Sequence, residues 1–195
     1  MSRMRSHILV ITTGGTIDAE PYESTPEDVT VRKDSLIPQA CAEMGIEEGL
    51  DFFHWLQKDS KKISAQDLED LANIIRSDDH QCFLITHGTD AMPENSRGLQ
   101  TLLRDSGKKV IITGAMTPLS HGINHSDGYR NLEVAVTALR HPEFLSDNVS
   151  VVMGGKRWRT EGLAKDFEKK EFYYEKKTFV ERTKVAQDAG GISKL

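Results

Sequence analysis

This 195-residue sequence is short of several things, and each shortage closes off a class of protein. It has only two cysteines, Cys41 and Cys82, far apart in the chain. One falls in an expected helix and one in an expected strand, so both read as buried thiols rather than as a disulfide or a metal pair. No stretch approaches the roughly 20 apolar residues that a membrane-spanning helix needs. The first apolar run ends at Gly14 and is a core strand, not the apolar region of a secretory signal, so a cytoplasmic protein is expected. Charge of one sign is lacking too: the net charge is −5, with both signs interspersed. That leaves no electrostatic case for a nucleic-acid or membrane partner. Internal repeats and low-complexity tracts are absent. There is no G-x-G-x-x-G, and no Lys-Ser or Lys-Thr follows the glycines, which weakens a phosphate-loop reading.

What is present is a design used twice. Ile8-Leu9-Val10-Ile11-Thr12-Thr13-Gly14-Gly15-Thr16 is an apolar strand running into two glycines and a threonine, and Cys82-Phe83-Leu84-Ile85-Thr86-His87-Gly88-Thr89-Asp90 repeats it. Two hydroxyls are thus delivered at the carboxyl ends of two strands, the edge where open α/β sheets bind ligands. Glycines there allow close backbone approach and leave N–H groups free to face an anion or a developing oxyanion. Thr16 is a candidate nucleophile, and Asp90 could orient a base for it through a lysine or a water. Taken singly, each turn also reads as an ordinary turn, with Thr capping a helix and Asp accepting backbone N–H bonds.

The rest of the chain alternates strand and helix. Ala19 to Arg32 is polar, carries Pro21 and Pro26, and reads as a mobile loop, either an active-site lid or a tolerated surface loop. Asp34 or Ser35 caps a helix from Leu36 to about Met44. Phe52 to Leu56 reads as a strand covered on both faces. Ser64 and Asp67 form a capping box for a helix with Leu68, Leu71, Ala72 and Ile75 on one stripe. Pro93 opens a helix with Leu99, Leu102 and Leu103 inward. Lys109–Thr113 is a third strand ending in glycine, and Leu132, Val136 and Leu139 mark a further helix face. Val149–Met153 is another strand, followed by Gly154-Gly155 and a basic tract. Phe167 to Val180 alternates aromatic and charged residues, and the tail through Gly190-Gly191 is expected to fray. His87 reads as a hydrogen-bonded structural group. His121 and His125 lack the spacing and the cysteine neighbours of a metal site. The alternation predicts a three-layer, doubly wound, mostly parallel α/β sheet of Rossmann-like type.

Thr13-Gly14-Gly15-Thr16-Ile17 together with Thr86-His87-Gly88-Thr89-Asp90 resembles the two threonine signatures of the bacterial-type L-asparaginases, which convert asparagine to aspartate and ammonia. Asp59-Ser60, Gly114-Ala115-Met116 and the Ser126-Asp127-Gly128…Asn131-Leu132 stretch extend the resemblance. It implies Thr16 as nucleophile, although either threonine fits the attacking role. Thr89, Asp90 and Lys165 form a second group handling protons or positioning water, with Lys165 placed by counting from Val152-Met153. Tyr22 partners Thr16. Gly15, Asp59, Ser60, Gly88 and Ala115 line the substrate, with Ser60 on its α-carboxylate. Lys61 departs from the glutamine that contacts the substrate amino group in the family, and a lysine there favours anionic groups.

The resemblance covers the family's amino-terminal domain, so residues 1–195 are expected to form one such domain without the carboxy-terminal one. It implies no metal and no cofactor, L-asparagine (or L-glutamine) as substrate, and a homo-oligomer, dimer or tetramer. Two other readings stand beside it: a non-catalytic sensor of an acidic amino acid or small amide, and an amidase of a larger amide.

Overall fold

The computed structural model describes residues 7–22 and 30–175. The first strand, β1 (Ile8–Thr12), is buried along its whole length. It is followed by α1 (Ile37–Glu43), β2 (Leu50–His54), α2 (Ala65–Ser77), β3 (Cys82–Thr86), α3 (Met92–Leu102), β4 (Lys109–Thr113), α4 (Asp127–Leu139) and β5 (Val149–Met153). Three short strands, β6 (Lys156–Arg159), β7 (Leu163–Asp166) and β8 (Glu171–Tyr174), complete the described chain.

The main sheet runs β2-β1-β3-β4-β5-β6, parallel except for the last pair, and β7 with β8 forms a separate antiparallel ribbon. Alternation along the buried strands feeds two cores. Ile8, Val10, Leu84 and Ile111 pack with α1 and α4 on one face. Leu9, Ile11, Phe83, Ile85 and Ile112 pack with α2 and α3 on the other. This is the three-layer, mostly parallel sheet expected from the alternation. The chain reverses its direction of winding between β1 and β3, and a crevice opens at the carboxyl ends of strands at such a switch point. Both glycine-threonine turns leave the sheet there.

Several local expectations are refined by the structure. Strand β2 begins two residues earlier than expected and is not covered on both faces: it is the sheet edge, with Asp51, Phe53 and His54 exposed. Helix α1 is started from a distance. Ser35 Oγ accepts from Ile37 N, while the Asp18 carboxylate accepts from Leu36 N at 2.8 Å and from the Ser35 hydroxyl at 2.6 Å. Burial pushes the Asp18 carboxyl up, against the lowering effect of those two bonds. Both cysteines are buried, Cys41 in α1 and Cys82 in β3. The Ala19–Arg32 segment is closed at its base by an Ala19–Val31 bridge and by Glu20 N donating to Thr30 O. Its residues 23–29, like the tail from 176 onward with Gly190 and Gly191, lie outside the described residues. Among the described residues, no helix is long and apolar enough to cross a membrane.

The capping box of α2 is present, and its Asp67 also takes Lys58 Nζ at 2.8 Å. The Lys58 hydrogen bond, followed by those from Ser64, holds the Asp67 carboxyl down at about 2. Because the folded value lies below the ordinary 3.8, this contribution is complete above 3.8 and fades as pH falls toward 2. Lys58 is partly exposed, which weakens the pair, so Asp67→Ala is expected to lose about 1 kcal/mol at neutral pH, mostly from the cap. Urea unfolding at pH 7 and below pH 3 checks this, because the deficit shrinks in acid.

Candidate active site

The β1 and β3 turns are pressed together. A Cβ on Gly15 would lie 2.3 Å from Gly88 N and 2.4 Å from Gly88 Cα, and Gly15 has φ 82°. A Cβ on Gly88 would in turn meet Ser60 Oγ at 2.7 Å. Only glycines allow the backbones this close, which brings Thr16, Ser60 and Thr89 around one crevice. Backbone bonds hold the stack: Thr13 donates from both N and Oγ1 to Thr86 O, Lys58 N donates to Thr13 O, and His87 N donates to Thr113 O.

Thr89, Asp90 and Lys165 meet. Lys165 Nζ donates to Thr89 Oγ1 at 2.8 Å and to Asp90 Oδ1 at 2.5 Å. Thr89 follows β3, while Lys165 lies on β7, tied to α3 by Arg97 Nη1 donating to Leu163 O at 2.7 Å. An ammonium only donates, so Thr89 Oγ1 accepts and its own proton points elsewhere. Lys61 Nζ stands 4.0 Å from the other Asp90 oxygen, Oδ2.

Ser60 is buried and its hydroxyl accepts from Ala91 N at 3.3 Å, joining the loop after β2 to the β3 turn. Asp59 turns its carboxylate onto its own loop, accepting from Lys61 N. Ala115 is fully buried in the β4 turn. Thr16 is half-buried at the head of a short 3₁₀ turn, Thr16–Asp18. Tyr22 lies against His121: its N donates to His121 Nε2 at 3.4 Å and its ring meets the His121 ring edge-on. Among the described residues, no cluster of three or more His, Cys, Asp or Glu side chains is arranged to hold a metal.

Residues beyond those expected build the site's frame. Asp127 accepts from Met116 N and Thr117 N, and Asn131 ties Gly114 O to Gly155 N. The Ser-Asp-Gly…Asn stretch was the signal for them, legible as a helix opening but not as a clamp on the β4 turn. His87 is buried, with Nδ1 2.7 Å from Gly88 O and Nε2 3.1 Å from Asn95 Nδ2. A carbonyl can only accept, so Nδ1 carries the proton and Nε2 accepts from Asn95. Burial pushes the His87 imidazole below its usual 6.5 despite the bond to Gly88 O. The unfolded chain therefore takes up a proton that the folded one resists, and stability drops as pH falls below 6.5. His87→Gln is expected to flatten this loss between pH 7 and pH 5, as read by urea unfolding at the two values.

Residues 7–171 match the family described as Asparaginase, N-terminal. The chain is 30% identical to the L-asparaginase of Thermococcus kodakarensis over 137 residues, which is 68% of this chain and 40% of that one. It is 38% identical to L-asparaginase 1 of Escherichia coli K12 over 76 residues, covering 38% of this chain and 22% of the relative. Among solved structures it resembles L-asparaginase I from Vibrio cholerae, with a TM-score of 0.66 and 26% identity over 87% of this chain and 51% of the other. The probable cytoplasmic L-asparaginase from Campylobacter jejuni has the same fold, with a TM-score of 0.69 at 23% identity. The chain thus spans about half the length of these solved relatives. With the family pattern running from before β1 into β8, the chain belongs to the asparaginase family.

Proposed function

We propose that this chain is an L-asparaginase-like amidohydrolase that releases ammonia from L-asparagine through a threonine nucleophile. The observation that carries this reading is Lys165 Nζ bonded at once to Thr89 Oγ1 and Asp90 Oδ1, on the crevice that Gly15-Thr16 borders. Thr16 Oγ attacks the side-chain amide carbon, a C–O bond forms, the C–N bond breaks, and the Thr16 proton leaves on ammonia. Water then cleaves the ester and returns a proton to Thr16. Thr89, held by Lys165 and Asp90, directs its hydroxyl proton to that water or to the leaving nitrogen. Backbone N–H groups of the Gly15 and Gly88 turns face the oxyanion. Ser60 and Asp59 border the α-carboxylate and α-amino end, and Ala115 closes the side chain's end. Tyr22, which lies against His121, is the residue we assign as the partner of Thr16.

No step of this chemistry calls for a metal or an organic cofactor. The threonines and Lys165 all lie within a single α/β domain, which we take as the unit of activity, working as a homo-oligomer in the cytoplasm. Ammonia release from L-asparagine and L-glutamine by the purified chain tests the reading. Turnover of asparagine is expected. No turnover of either amide at high millimolar concentration, with L-aspartate still bound, would contradict it in favour of a sensor.

A further inference from the structure

Only 6% of the Lys165 side chain is exposed, whereas Phe167, two residues on, is 63% exposed. A single exposed phenyl ring is ordinary on a protein surface. This one has a place: its centroid is 5.1 Å from Lys165 Nζ. An ammonium has three donors and no acceptor. Two of them go to Thr89 Oγ1 and Asp90 Oδ1, and the phenyl face lies within cation–π range of the same nitrogen.

We propose that Phe167 is a positioning residue: its ring closes the solvent side of the Lys165 ammonium and holds Nζ against Thr89 and Asp90. The ring stands on a braced turn. The Asp166 carboxylate accepts from Glu168 N and Lys169 N, both at 3.0 Å, and Lys170 takes a left-handed φ of 54°. Across the ribbon Lys165 pairs with the buried Phe172, so β7 is held on its inner side as well. With the ring gone, water gains the side that the ring now covers. A role for Lys165 in hydrolysis rests on the function proposed above; its shielding by Phe167 does not.

The test compares lysine labelling in the wild type, Phe167→Ala and Phe167→Tyr. Each protein is acetylated with limiting reagent and mapped by peptide mass spectrometry, with the 73%-exposed Lys169 as internal reference. The Lys165-to-Lys169 rate ratio is expected to rise about five- to tenfold in the alanine variant and to stay within about twofold of wild type with tyrosine. Amide exchange of β7 and β8 should be unchanged. An equal ratio in wild type and Phe167→Ala overturns the proposal. So does a rise matched by faster exchange throughout the ribbon, since the ring would then support the hairpin rather than the lysine. In the hydrolysis assay, Phe167→Ala should lower kcat about tenfold with KM little changed, and tyrosine should restore it. A labelling contrast in a protein that releases no ammonia would sink the proposed function and leave this inference standing. An unchanged ratio in an active enzyme would do the reverse.

Discussion

Lys165→Met is expected to lower kcat/KM for L-asparagine by about a thousandfold while the protein still folds. The methionine keeps the approximate length of the side chain and removes the ammonium that touches both Thr89 Oγ1 and Asp90 Oδ1. Thr89 then loses the donor that fixes its hydroxyl, and its proton is no longer aimed. Folding should survive because Asp90 is not stranded: its side chain is 37% exposed and Lys61 stands 4.0 Å from Oδ2. Lys165→Arg restores charge but not shape. The guanidinium is broader and its charge is spread over three nitrogens, so it does not bring one compact cation to both oxygens as Lys165 Nζ does, and it should recover little. Ammonia release and thermal unfolding, measured on the same preparations, check both points. Activity of Lys165→Met within about tenfold of wild type would remove the lysine from the chemistry.

Gly15→Ala is expected to be the most damaging small substitution in the chain. The new methyl would lie 2.3 Å from the buried Gly88 N, a backbone atom, at a φ of 82° with ψ −174°. That region of backbone space is essentially restricted to glycine. Strain and overlap together should cost about 3 kcal/mol or more, or prevent folding. Gly45→Ala is the control. Gly45 also has a positive φ, 65°, but a Cβ there meets nothing within 4 Å. It should cost only about 1 kcal/mol. Urea unfolding of the two variants reads the added cost of Gly15's backbone region and of the contact between the turns together, and equal losses would show that neither adds anything.

Much of the frame was legible because it is written in runs. Ile8–Thr12 and Cys82–Thr86 are continuous apolar stretches, buried on both faces, and only a central parallel strand does that. Glycines at their ends marked the crevice. Strand β2 was misjudged because Phe52, Phe53 and Trp55 suggest burial, yet the strand is an edge and part of that apolar surface meets solvent. The ribbons after β5 carry too few apolar residues for a period: β6 reads Lys-Arg-Trp-Arg and is mostly exposed. Counting placed Lys165, but the ring of Phe167 over its ammonium depends on a tight turn that no local pattern announces. Asp18 is a similar case. It reads as the end of the Gly-Gly-Thr turn, while in space it anchors the start of α1 across 18 positions of sequence. Such long-range polar bonds leave no periodic trace.

The most direct test of the mechanism is to find the covalent intermediate. Wild type, Thr16→Ala and Thr89→Ala would be mixed with L-asparagine, quenched in acid within the first turnovers, and mapped by peptide mass spectrometry. The expected result is an aspartyl ester on Thr16, scarce in wild type, accumulating in Thr89→Ala where water is poorly directed, and absent from Thr16→Ala. An ester on Thr89, or steady ammonia release by Thr16→Ala at the wild-type rate, would contradict the assignment of Thr16 as the nucleophile.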